Sequence, residues 1–314
     1  MQALKGGDEA AALPLAEHAH RLRPKAAWAM RHLAHLQARA GRWKEAEATL
    51  ERAVKRKVLP TPEGRRFRAT LLLEQSRAAS AGGDARAAMV LAARARDADP
   101  SLAPAAVWHA TLLRDAGQPR QAARAIETAW RLAPEPALAA VYRTLAPDQG
   151  AMPTLKRVQK LTAGNPDHLE SLLLLAEAAL HARLWGEARR HLTKTGVESA
   201  EGPSSARACR LMAEIEESEH GDAPAARKWL AHAAAAAVLE PTYVCGACGA
   251  ESVEWKALCP TCRGFATIAW RPPQRVPRPG LASVLSPELA SVPESAPLVP
   301  VTGWPRLTAA KSES

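Results

Sequence analysis

A unit of about 34 residues recurs along this chain, and a period that short severely limits what the chain can fold into. Gly7, Gly41, Gly83 and Gly117 are each followed by Ala five residues later (Ala12, Ala46, Ala88, Ala122) and by Ala twelve residues later (Ala19, Ala53, Ala95, Ala129). Three of the four have Pro seventeen residues on, at Pro24, Pro100 and Pro134; the second unit has Val58 there. The frame continues more weakly at Gly150, at Arg183 with Ala188, and at Gly221 with Ala226 and Ala233. Each element of the frame has a physical task. Gly breaks the chain between two helices, the small Ala lets the second helix approach the first, and Pro ends the pair. One helix pair cannot bury its own apolar face, so successive pairs must stack. Aromatic residues make up only 4% of the chain, whereas Ala, Leu, Arg and Glu abound and β-branched residues are sparse. That composition suits closely packed helices and disfavours a large sheet.

The repeat resembles the tetratricopeptide repeat. Small residues eight positions into the first helix of four units, Ala34, Ser76, Ala110 and Ala176, match that family's close-packing site. The expected fold class is therefore all-α, a tetratricopeptide-repeat α-solenoid over residues 2–240. The frame widens around residues 60–64 and 199–205, where insertions are expected. The unit near 136–166 is degenerate: it has Leu155 and Thr162 at alanine positions, and Pro136, Pro147 and Pro153 must shorten its helices. Met1 lies six residues before Gly7, so the first unit has its second helix only and the sequence is expected to be a truncation of a longer one.

Cys245-x2-Cys248 and Cys259-x2-Cys262 lie close together in a segment with too few residues for a core of its own. Two such pairs fit one tetrahedral site, each pair turning tightly to supply two thiolates. Four cysteine ligands leave no position for water, so the expected ion is structural zinc, with iron in the same cage as the alternative. Gly246, Gly249 and Pro260 belong to the turns, and Lys256 or Arg263 is expected to help offset the charge of the cage. Cys259-Pro260 also has the form of a heme-regulatory dipeptide, but a thiolate bound to zinc is unavailable to heme iron. The fifth cysteine, Cys209, reads as a small apolar residue on a helix.

From Tyr243 to Trp270 the wording, with Trp255 between the pairs and Phe265 after them, resembles a rubredoxin-like zinc ribbon, assigned to residues 243–271. Such a ribbon follows tetratricopeptide repeats in two bacterial families, the HemY-type proteins associated with heme biosynthesis and the lipopolysaccharide assembly protein B family. The resemblance tilts to the HemY-type side and implies a regulatory protein at the cytoplasmic face of the inner membrane, held by an N-terminal anchor that is missing from this chain. It also implies a ribbon packed on the repeats, expected at the end of the last unit because no Gly or Ser linker intervenes. A rubredoxin-like iron protein of electron transfer and a lipopolysaccharide-assembly regulator are the alternatives.

Mapped onto the family's groove, the first helices contribute Trp28, Arg31, His35 and Arg39 from the second unit, Arg77 from the third and Arg114 from the fourth. A groove with that lining suits an extended acidic peptide segment or a partner helix, and the resemblance implies a membrane-associated protein complex as the partner. The asparagines of a chaperone-binding clamp are missing. Nucleic acid is disfavoured because aromatic residues are not interleaved with the basic run, and no paired nucleophile and base falls on a loop, so the chain reads as non-enzymatic. His18, His20, His32 and His35 read as ordinary polar or packing residues.

The net charge of +10 is concentrated. Residues 21–68 hold fourteen Lys or Arg against Glu45, Glu47, Glu51 and Glu63, which is +10 by itself. That part of the chain is suited to peripheral contact with an anionic membrane or an acidic partner. Residues 272–314 are rich in Pro and Ser without helical apolar spacing, and are expected to form a disordered tail, in which 299–304 reads as unstructured tail with a short docking motif as the alternative.

Overall fold

A computed structural model describes residues 9–56, 61–146, 150–198, 205–236 and 240–273. The tail and its motif at 299–304 lie outside the described residues. Thirteen helices are present among them. Helix α1 (Glu9–Leu22) is the second helix of the first unit. The pairs α2 (Ala27–Arg39) and α3 (Trp43–Lys55), α4 (Thr61–Ala81) and α5 (Ala85–Ala98), and α6 (Ala103–Asp115) and α7 (Pro119–Leu132) follow the repeat frame. So do α8 (Pro136–Thr144) and α9 (Ala151–Thr162), α10 (Leu169–His181) and α11 (Trp185–Thr193), and α12 (Ala206–His220) and α13 (Ala223–Ala235).

The turn inside each pair has one recurring geometry. Gly41, Gly83 and Gly117 take φ of +73°, +82° and +73°, the left-handed region that glycine enters without penalty. Immediately after each, the N–H of Arg42, Asp84 or Gln118 donates to the carbonyl five residues back, on Gln37, Ala79 and Leu113, at 2.8 to 2.9 Å. That bond closes the end of the first helix. Arg183 occupies the same place with φ +56°, and Leu184 N–H still reaches Ala179 at 2.9 Å, so the turn survives without its glycine.

The first alanine of the frame is buried in every unit that has it, whereas of the second alanines Ala19 and Ala233 are half-buried. Ala46, Ala88, Ala122 and Ala188 are fully inaccessible, as are Ala34, Ser76 and Ala110 in the first helices. The insertion near residues 60–64 lengthens α4 to 21 residues. In the degenerate unit α8 has only nine residues, but α9 has twelve and accommodates Pro153 in its first turn; Leu155 and Thr162 are buried where smaller side chains stand in other units. Helix α10 is buried almost all round, including Glu170, whose carboxylate receives Arg207 Nη1 at 2.8 Å.

Beyond α13 the chain forms a three-stranded antiparallel sheet in the order β2-β1-β3, with β1 (Thr242–Cys245), β2 (Glu251–Ser252) and β3 (Ile268–Arg271). Tyr243 pairs with Ser252 on one side and Trp270 on the other. Glu240 guides the entry, accepting Ser205 Oγ and Arg207 N–H, both at 2.9 Å. The position of this ribbon corrects the sequence expectation. Instead of capping the last unit it reaches back to α2, α4 and α6, and residues up to Pro273 form one compact unit. The apolar surface that attracts it is there: Met30, Phe67 and Leu71 share one buried cluster with Ala257 and Phe265.

Candidate metal centre

Two equivalent turns build the cysteine cluster. Gly249 N–H donates to Cys245 O at 3.0 Å and Cys245 N–H to Ala250 O at 2.9 Å. Arg263 N–H likewise donates to Cys259 O at 2.9 Å and Cys259 N–H to Gly264 O at 3.0 Å. The residue after the second cysteine of each pair is left-handed: Gly249 at φ +74° and Arg263 at φ +56°. Gly246, read from sequence as a turn residue, serves without a positive φ: its N–H donates to Thr267 O at 2.7 Å and an added Cβ would sit 3.4 Å from that oxygen.

The sulfurs of Cys245, Cys248, Cys259 and Cys262 lie within 4.8 Å of one another, the one such group of potential metal ligands found among the described residues. Cys245 and Cys262 are 3.7 Å apart, as are Cys248 and Cys259. A tetrahedron with metal–sulfur bonds of about 2.3 Å has edges of about 3.8 Å, so the donor set fits zinc or iron. An ion held by these four residues would cross-link the two turns and supply a structural closure, with no ligand position left over. Cys245 and Cys259 are buried and Cys248 is exposed.

Neutralising donors come from nearby backbone and one hydroxyl. Ala247 N–H lies 3.4 Å from Cys245 Sγ and Thr267 Oγ1 3.2 Å from the same sulfur. Burial opposes charge at Cys245, but these contacts together outweigh it and bring its thiol down to about 6. Burial pushes Cys262 up to about 12. Thr267 was not singled out in the sequence, where its signal was only a hydroxyl five residues after the last cysteine.

Four anchors fasten this centre to the helices. Phe265, 1% exposed, places its ring 4.8 Å from Phe67 and 5.9 Å from Trp43, and Phe67 meets His35 edge-on at 4.8 Å. The Arg77 guanidinium lies 5.5 Å from the Trp255 ring and 5.8 Å from the Trp108 ring, an arrangement that favours a cation between two indoles. Arg66 Nη2 donates to Ile268 O at 2.8 Å, and the Tyr243 hydroxyl to Glu135 Oε2 at 3.1 Å.

The groove residues read from sequence thus divide. His35 and Arg77 face the ribbon's own contacts, and burial pushes the His35 imidazole down to about 4, with His32, Arg31 and Arg39 adding to the effect. Trp28 is 53% exposed, Arg31 is exposed and Arg39 half-buried. Arg114 binds Asp115 and donates to Thr144 Oγ1 at 3.1 Å. Glu135, Arg66, Trp43 and Trp108 were missed, and nothing in their local sequence distinguishes them. Cys209 is fully buried in α12, where burial raises its thiol. No helix among the described residues is long and apolar enough to cross a membrane.

Residues 3–71 match the family model described as Tetratricopeptide repeat. The fold is a tetratricopeptide-repeat solenoid. The chain is 34% identical over 232 residues to a protein named probable magnetosome protein Mms48 from Magnetospirillum gryphiswaldense. That match covers 74% of this chain and spans about half, 51%, of the relative. Among solved structures it is similar to a tetratricopeptide repeat protein from Parabacteroides merdae (15% identity, 75% of this chain and 90% of that one, TM-score 0.34) and to MamA (16% identity, 51% and 92%, TM-score 0.31).

Proposed function

We propose that this chain is a non-enzymatic scaffold that binds protein partners through the free part of its helical face, with a zinc-closed ribbon as a structural brace. The observation that carries this reading is the insertion of Phe265 and Trp255 among the first helices of three pairs, which employs the four-cysteine segment for architecture. Partners would be acidic segments, drawn to Arg31 of α2 and Arg114 of α6. By the resemblance of repeats plus ribbon, the setting is a regulatory assembly at the cytoplasmic face of the inner membrane, associated with heme biosynthesis or with lipopolysaccharide assembly. A magnetosome is the setting suggested by the name of its relative.

The test has two arms. Metal analysis of anaerobically purified protein should give one zinc per chain and no visible absorbance; one iron with a reversible potential would replace the scaffold reading with electron transfer. Proteins captured by the tagged full chain from native membranes should be lost on Arg31→Glu with Arg114→Glu, and an unchanged capture set would remove the helical face from the reading.

A further inference from the structure

The turn between α1 and α2, with the adjoining end of α3 and start of α4, forms a basic edge studded with exposed apolar residues. In the first of these turns Leu22, 70% exposed, ends α1, and Trp28, 53% exposed, stands in the first turn of α2. Between and beside them Arg21, Arg23 and Lys25 are exposed. The end of α3 adjoins this turn, because Arg56 Nη1 donates to Pro24 O at 2.6 Å. It adds Lys55, and the start of α4 adds Arg65, both exposed. None of Arg21, Arg23, Lys25, Lys55 and Arg65 forms an ion pair with a described acid; the acids of this region are engaged elsewhere, Glu17 and Glu45 by Arg42, and Glu47 by Arg68 and Arg94. Glu63 and Glu51, the latter paired with Arg68 at 3.6 Å, are the exposed acids on the edge itself.

A cavity of about 280 Å³ opens between α3 and α4 on the same edge. Leu50, Val54 and Gly64 give it apolar walls, and Lys55, Arg65 and Arg68 surround them with Glu51. A Cβ on Gly64 would lie 3.1 Å from Val54 Cγ2, so a side chain there would crowd the opening.

We infer that this edge is a docking surface for an anionic lipid bilayer, with the free cations on the headgroups and Leu22, Trp28 and the cavity beside Val54 meeting the acyl region. The charge complementarity decides the occupant. Scattered unpaired cations around solvent-exposed Leu and Trp match a surface of diffuse negative charge over hydrocarbon. Vesicle docking uses Leu22, Trp28 and the cations of this edge, and partner capture uses Arg31 and Arg114, so either can fail alone.

Sedimentation of the full chain with vesicles tests the inference. Binding is expected to phosphatidylglycerol–phosphatidylcholine vesicles and not to pure phosphatidylcholine, weakening with salt. Each cation neutralised, as in Lys25→Gln or Arg65→Gln, should lower the partition coefficient about five-fold, which corresponds to about 1 kcal/mol per charge. Leu22→Ser with Trp28→Ser should lower it while keeping the salt dependence, and these exposed positions leave the fold intact. Equal binding to neutral vesicles, or no loss in the charge variants, would overturn the inference. So would binding to an acidic protein partner through these residues with no vesicle binding at low salt.

Discussion

The Tyr243 hydroxyl donates to Glu135 Oε2 at 3.1 Å, joining the first strand of the ribbon to the residue that precedes α8, 108 positions earlier in the chain. Glu135 is 7% exposed, and burial raises its carboxyl to about 7, against the smaller opposing effects of Tyr243 and Arg66, with Glu170 adding a like charge. The folded pKa is above the ordinary value of 4.5, so the stabilisation is complete below about 4.5 and is lost as pH rises through about 7. At 1.36 kcal/mol per unit the span is at most roughly 3 kcal/mol. Thermal unfolding followed from pH 5 to 8 should show this loss. Glu135→Gln, neutral throughout, should flatten the profile; a wild-type slope retained in that variant would assign the pH dependence to another group.

Trp255 joins three packed groups: the ribbon's own core of Tyr243, Cys245, Cys259 and Ile268, the cluster around Phe67, and the cluster around Leu72 and Leu102. Trp255→Ala should destabilise by about 2–3 kcal/mol, below the 3–5 kcal/mol of a fully buried aromatic because this ring is half-buried. It also removes one indole from Arg77. Hydrogen exchange should rise at residues 255–268 and at α4 together. A rise in the ribbon alone would show that the docking survives.

Phe265 is the deeper anchor, and Phe265→Ala should cost about 3–5 kcal/mol by denaturant midpoint. Because its ring meets Phe67 at 4.8 Å, the double variant with Phe67→Ala should be less destabilised than the sum, with a coupling of about 0.5–1.5 kcal/mol. Additive losses would mean that the two rings do not support each other.

Cys248→Ser removes the exposed corner of the sulfur tetrahedron. Metal content should fall below one per chain and the ribbon should unfold, since metal binding by such segments is worth on the order of 10–16 kcal/mol. Helicity measured by far-ultraviolet circular dichroism should persist, because the thirteen helices pack on one another. Collapse of the helical signal would mean that the solenoid needs the docked ribbon.

Much of this molecule was legible locally. The glycine–alanine frame located every helix pair, since a left-handed turn and a small contact residue are requirements of one or two positions. Arg183 shows the limit: the turn tolerates φ +56° on a bulky residue once neighbouring pairs hold it. The cysteine spacing located all four sulfurs, because ligation constrains residues a few positions apart. The donors around them were less legible, for Thr267 reaches Cys245 only after β3 has paired with β1.

By itself the sequence determined the helix pairs, their order and the four-cysteine cluster, all of which rest on contacts within about one repeat. Only the tertiary structure decided where the ribbon lies. Phe265 meets Phe67, Arg66 meets Ile268, and Tyr243 meets Glu135 across one to two hundred residues. Those meetings depend on rotations accumulated over successive helix pairs, and no single unit encodes that sum.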